Sequence, residues 1–257
     1  MNLIKNVKVD LHRAFSGKLF LIGLLCTQGV FYLNIPWDNI GQSVFNIIEL
    51  LLFGSFVQLL LVCGAIPYAT AYLSDCEHGY IKSLVIRCDL RSYLRSKVIV
   101  TAISGFMTVF LGKLIFAMVM LAFFPIVTPS RMEISQDFVL DILAATYPYA
   151  YLFVNAATYA LGAAVFAVLA LLISSLTHNI FVTVMSPMVM YFLFTSITQI
   201  LHLPADFSII FLIEGYVFSY ADSAVFTFFH VFIFWAVLLV VFGHLFIRHA
   251  EKRFLSG

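Results

Sequence analysis

The sequence predicts an all-α integral membrane protein with six transmembrane helices, and three observations predict it. The first is composition: 63% of the 257 residues are hydrophobic and 11% are charged, with a mean hydropathy of +1.04. Soluble domains are about half apolar and about a quarter charged, so lipid rather than water is the expected solvent. The second is the length of the apolar runs. Six of them match what a helix of about 20 residues needs to cross a bilayer: about residues 19–35, 44–73, 98–124, 149–173, 180–200 and 224–247. None alternates with the two-residue period of barrel strands. The third is the placing of basic residues. Lys5, Lys8, Arg13 and Lys18 precede the first run; Lys82, Arg87, Arg91, Arg95 and Lys97 separate the second from the third; Arg248, Lys252 and Arg253 follow the sixth. Only Arg131 falls on the other side, and Lys113 lies within a span. The positive-inside rule then puts both termini in the cytoplasm.

Taken in order, "MNLIKNVKVDLHRAFSGK" mixes polar and apolar residues before the first span, with no small-residue cleavage site of the kind that ends a signal peptide. The second run is about thirty residues, longer than a ~30 Å hydrocarbon core requires, so it must tilt, kink or protrude. Pro67 offers the kink. Pro148, Pro187 and Pro204 read as kinks or turn formers. In the fourth span, Gly162 among Ala160, Ala163 and Ala164 reads as close helix packing. Between the fifth and sixth spans, residues 201–222 are too polar and broken to cross. Their apolar centre, Phe207 to Ile213, suits short outer re-entrant or interfacial helices, hinged near Glu214 and Gly215. The whole chain, 1–257, is expected to be one membrane domain with no soluble domain.

Several functions are disfavoured. A net charge of +1 lacks the basic surplus of a nucleic-acid binder. Cys26, Cys63, Cys76 and Cys88 show no disulfide framework. Cys76, Glu77 and His78 are adjacent and match no zinc spacing, so no metal is expected. "GFMTVFLGKL", from Gly105, has its glycines too far apart for a phosphate loop, and Leu114 stands where a hydroxyl would hold magnesium. No His is paired with a nucleophile and a carboxylate, so no catalytic set is expected.

The segment from Asp75 to Lys97 is the main inner loop. Tyr80, Ile81, Leu84 and Val85 share one face of a short helix, with Lys82 and Arg87 elsewhere. Such a face lies on lipid or in a partner's groove. "EHGYIKSL" followed by "RSYLRSK" resembles the first cytoplasmic loop of type-2 ABC transporter permeases. Glu77, Gly79, Ile81, Lys82, Arg91, Tyr93, Ser96 and Lys97 stand at the places that carry the likeness. The opening "LIKNVKVDLHRAFSGKLFLIGLL" is similar to that family's amphipathic N-terminal helix and first span.

The resemblance implies a permease subunit of an ATP-driven exporter in a bacterial cell membrane. The loop helix would be a coupling helix, with Glu77, Gly79, Tyr80, Ile81, Lys82, Leu84, Val85 and Arg87 meeting the ATPase. His178, in the second inner loop, would be a further contact. Two copies of a separate ATP-binding subunit would carry ATP and Mg, leaving this chain with no cofactor and no enzyme activity of its own. A second permease chain, identical or related, would complete the assembly. Gln28, Ser55, Gln58, Thr183, Ser186 and Thr195 are candidates for the translocation path, against ordinary interhelical hydrogen bonding at each. An amphipathic or hydrophobic cargo is expected: a peptide, a lipid or a drug.

Lys113 stands apart, since a Lys at the centre of a span costs about 2.5–3.5 kcal/mol on insertion scales. A buried pair with Glu49, snorkelling to outer water and a place on the cargo path remain open readings. Rival functions are an intramembrane enzyme, an ATP-independent transporter or channel, and a non-transporting membrane sensor or partner protein. The first would want titratable groups at membrane depth, and the second a broken-helix pair.

Overall fold

The computed structural model describes residues 3–35, 43–51, 54, 56, 58–79, 89–126, 146–214 and 224–256, apart from a few helical side chains. Among these residues every regular element is a helix. In chain order they are α1 (Leu3–Ser16), α2 (Lys18–Leu33), α3 (Val44–Leu51), α4 (Leu59–Ala65), α5 (Ala71–Glu77), α6 (Leu90–Leu121), α7 (Pro148–Leu176), α8 (Ile180–Ile200), a 3₁₀ turn (Ala205–Phe207), α9 (Ile209–Glu214) and α10 (Ala224–Ser256).

Four of these helices, α6, α7, α8 and most of α10, are long and apolar enough to cross a membrane. The bent pair α1–α2, with 54° between its halves, is a fifth candidate. The bend falls at Gly17, where a Cβ would stand 3.0 Å from the Arg13 carbonyl oxygen. The expected second span, 44–73, is three short helices rather than one. At about 1.5 Å per residue, α3, α4 and α5 are each only about 10–12 Å long. Turns occupy 66–70 around Pro67, which has no N–H to continue the ladder. At the opposite end of this region, the first amides of α3 are satisfied by the carbonyls of Pro125 and Ile126, at 2.9 and 3.2 Å.

The helix α7 is the axle. Its Ala156, Ala160, Ala163, Ala167 and Ala170 are all fully buried. Lipid tails are as apolar as Leu, so helices in a bilayer associate through close packing rather than through hydrophobicity. Small residues supply that closeness. A Cβ on Gly105 of α6 would stand 2.8 Å from the Ala167 Cβ and 3.0 Å from the Gly64 carbonyl oxygen of α4. Gly162 faces Ile213 and Trp235, bringing α9 and α10 onto the same helix. Close packing at Gly162, expected from sequence, is therefore present. The outer faces of α8 and α10 carry exposed Val189, Phe192, Ile197, Phe232, Val237 and Val240, as lipid-facing helices do.

The 3₁₀ turn and α9 occupy the stretch read as re-entrant. Ile209, Leu212 and Ile213 are buried. Contact with Gly162, midway along α7, places α9 deep in the bundle. The Trp235 indole N–H donates to the Leu212 carbonyl at 3.3 Å, satisfying one of the free carbonyls near the end of that short helix. Residues 215–223, including the expected hinge at Gly215, lie outside the described part.

Gly105→Leu is expected to destabilise the detergent-solubilised chain by at least the ~1–3 kcal/mol of an overpacked core. Gly29→Ala, with open space around its Cβ, should be neutral or slightly stabilising. Thermal unfolding of the two variants separates them, and equal melting temperatures would contradict the packing described here.

Candidate functional site

The first turns of α6 place Tyr93, Ser96 and Lys97 on one face, at spacings of three and four residues. Asp89 caps the helix, accepting from the Ser92 N–H at 3.1 Å, which fixes where that face begins. Because the chain bends by 54° at Gly17, Asp10 and Arg13 of α1 lie against this face. Tyr68 arrives on the turn after Pro67, and Asp75 on α5. Six side chains from α1, α5, α6 and the connecting turn thus meet around one ammonium group.

Lys97 is 1% exposed. Its three N–H donors have three acceptors: Asp10 Oδ1 at 3.1 Å, Tyr68 Oη at 2.8 Å and Asp75 Oδ2 at 2.9 Å. The Tyr68 hydroxyl donates onward to Asp10 Oδ1 at 2.6 Å, and the Ser96 hydroxyl to Asp10 Oδ2 at 2.5 Å. The Tyr93 hydroxyl donates to Asp75 Oδ2 at 2.7 Å, and Arg13 Nη1 to Asp75 Oδ1 at 2.7 Å. The Lys97 ammonium also sits 4.9 and 5.0 Å from the Tyr68 and Tyr93 ring centroids, which suits a desolvated cation. Two carboxylates and two cations balance. Burial opposes the charge on Asp75, but Lys97 outweighs it together with the Tyr93 and Arg13 hydrogen bonds, so its pKa falls below the ordinary 3.8.

The cluster joins the two ends of the segment 80–88. Asp75 stands five residues before Tyr80 and Lys97 nine after Cys88, and the two are in direct contact. Between them, Glu77 closes α5 and is exposed. Gly79 has φ +65°, the left-handed turn that ends the helix, with its N–H on the Cys76 carbonyl at 3.1 Å. The remaining residues of the expected coupling helix, Tyr80, Ile81, Lys82, Leu84, Val85 and Arg87, lie outside the described part, as does Cys88.

The connection between α7 and α8 is tied down separately. Arg253, near the end of α10, donates to the Ser175 carbonyl at 2.9 Å and the Ser174 carbonyl at 3.5 Å. These carbonyls belong to the last turn of α7, where a cation complements the helix dipole. The Arg253 guanidinium also meets the exposed ring of His178. Asn179 caps α8, its Oδ1 accepting from the Phe181 and Val182 amides at 2.9 and 3.4 Å.

The candidates for a cargo path are scattered. Gln28 Nε2 donates to the Gly112 carbonyl at 2.7 Å and so ties α2 to α6. The hydroxyls of Thr183 and Ser186 bond back to Asn179 and Thr183 within α8 and its cap. The buried Thr195 hydroxyl has no hydrogen-bond partner among the described residues. Gln58 is half-buried just ahead of α4. Ser55 and the Glu49 side chain lie outside the described part, and with Glu49 the expected pair with Lys113. Lys113 itself is buried between α6 and α7, its ammonium 4.8 Å from the Tyr159 ring centroid. A groove of about 590 Å³ opens between α7 and α10, lined by Phe153, Leu161, Phe229 and Phe232 among others, with Thr158 its one polar residue among the described residues. Among the described residues no group of three His, Cys, Asp or Glu is placed to hold a metal ion.

Comparison of this chain with protein-family models, with curated proteins and with solved structures finds no match.

Sequence reasoning singled out the loop between residues 75 and 97 and missed the cluster beneath it. Asp10, Arg13, Tyr68 and Asp75 carry no motif. The signal available was an acid on each side of the first spans, with Lys97 at the edge of the third.

Breaking a buried ion pair from one side typically costs about 3–5 kcal/mol, so Lys97→Met should strongly destabilise the chain. It leaves Asp10 with no ion-pair partner among the described residues, while Asp75 keeps Arg13. Adding Asp10→Asn to Lys97→Met should therefore restore more stability than adding Asp75→Asn, by at least about 1 kcal/mol. Melting of the three variants reads this directly, and equal rescue by both Asn substitutions would contradict the pairing.

Proposed function

We propose that this chain is the permease subunit of an ATP-driven exporter of the type-2 ABC kind, with six membrane crossings and both termini in the cytoplasm. The observation that carries the reading is the buried Lys97 cluster, which joins both flanks of the segment 80–88 to each other and to α1. A force applied to that segment by a nucleotide-binding neighbour reaches α5 and α6 together. It reaches α2 as well, through the bend at Gly17 and the Gln28 bond to Gly112. The Arg253 tie gives the second inner loop a comparable route into α7 and α10.

In this reading ATP and Mg are bound by two copies of the partner subunit. ATP binding there biases the helices from an inward-open to an outward-open arrangement. Driving such an equilibrium from 1:99 to 99:1 takes about 5.5 kcal/mol of differential binding, which a rigid linkage delivers better than a compliant loop. The translocation unit pairs this chain with a second permease chain. The aromatic groove between α7 and α10 suits an amphipathic or hydrophobic cargo taken up from the bilayer.

Leu84→Asp with Val85→Asp is expected to abolish co-purification of an ATP-hydrolysing subunit while leaving the chain in the membrane. Affinity purification from membranes with an ATPase assay on the eluate tests this. The reading is overturned by an unmutated chain that yields no ATPase, or by a variant that keeps a stimulated one.

A further inference from the structure

At the N-terminal end of α6 a second groove, of about 620 Å³, runs between that helix and α10. Two helical stripes build it. On α6, Arg91, Arg95 and Val98 follow at spacings of four and three residues. On α10, Leu239, Gly243, Ile247 and Glu251 follow at four-residue spacings, with Val240, His244 and Arg248 one step round. The helices run antiparallel here, so both stripes grade from apolar to charged in the same direction. Their charged ends meet at Arg91 and Glu251, 2.8 Å apart. Their apolar ends meet where a Cβ on Gly243 would stand 2.9 Å from Val98 Cγ1. Gly243 therefore lets the Val98 side chain rest directly on the α10 backbone, and the two close the apolar end of the groove.

The charges are not all spent. Arg91 is neutralised by Glu251, whereas Arg95 and Arg248 are exposed and have no ion-pair partner among the described residues. The groove thus offers an apolar trough over Val98, Leu239 and Val240, with two unneutralised guanidinium groups at one end. The boundary between the two falls where the apolar runs of both helices stop. An Arg fork matches phosphate geometry, and the trough suits an acyl chain.

We infer that this groove is a binding site for one anionic phospholipid of the leaflet on the side of the N-terminus, its phosphate held by Arg95 and Arg248 and an acyl chain lying over Val98 and Val240. The site rests on the reading that α6 and α10 cross a bilayer, and it is separate from the apolar groove between α7 and α10.

The test is native mass spectrometry of the full chain in detergent, titrated with dioleoyl phosphatidylglycerol and with dioleoyl phosphatidylcholine. The unmutated chain should bind one phosphatidylglycerol in preference to phosphatidylcholine. Basic residues near a membrane contribute about 1 kcal/mol each, so Arg95→Gln with Arg248→Gln should weaken phosphatidylglycerol roughly thirtyfold and leave phosphatidylcholine unchanged. Val240→Trp, at a position 66% exposed, should weaken both lipids by filling the trough. Lys5→Gln with Lys8→Gln, on the exposed side of α1, should leave the preference intact. The site is overturned if R95Q/R248Q keeps the preference, or if K5Q/K8Q loses it equally, as a diffuse charge effect would require. Release of the chain from membranes by alkaline carbonate alone would overturn the bilayer reading, and the site with it. Retention with an unaltered lipid preference in R95Q/R248Q would overturn the site only.

Discussion

An ammonium group with 1% exposure, Lys97, is held by two carboxylates and a phenol. Removing an ammonium and two carboxylates from water costs several kcal/mol per ion, and attraction offsets this only when geometry is good and every remaining donor is used. Here all three Lys97 donors are used, and each carboxylate accepts a further hydroxyl. Such a cluster contributes little net stability compared with a well-packed apolar core. Its effect is on specificity: α1, the turn after Pro67, α5 and α6 must arrive together or leave charge stranded. The 54° bend at Gly17 sets α1 where that requirement is met.

The same constraint explains the polarity of α1. Its inward face carries Asn6, Asp10 and Ala14, while Ile4 and Val9 point outward. A helix lying at a membrane boundary can present apolar residues to lipid and keep its acids for a protein partner. Above this polar layer the bundle changes character. There α7 presents Ala and Gly to α4, α6 and α10, and association depends on how closely backbones approach. The molecule therefore has a charged joint at one end and a tightly packed apolar stem beyond it. In the proposed exporter, the joint would receive motion and the stem would carry it.

Much of the helical plan was legible because bilayer-sized apolar runs are hard to hide. The helix Ile180–Ile200 matches its expected bounds, and the polar stretch after Ile200 ends the run. The helix α6 begins before its apolar run and α10 continues past its own, because a helix need not start or stop where polarity changes. The run 44–73 reads as one continuous stretch in sequence, and its described residues hold three short helices; hydropathy does not register such breaks, and only Pro67 hinted at one. The Lys97 cluster was illegible for a different reason. In sequence Lys97 reads as one more positive-inside residue, and Asp10 as one more polar residue before a span. Their meeting across 87 positions depends on the 54° bend at Gly17, which no periodicity encodes.

Lys97 holds α1 against the flanks of the segment 80–88. Hydrogen–deuterium exchange of the full chain in lipid nanodiscs tests it most directly, comparing the native chain with Lys97→Met and using α8 as an internal reference. The account predicts at least about tenfold faster exchange of the α1 amides in the variant, with α8 unchanged. Protection of α1 equal to that of the native chain would contradict it.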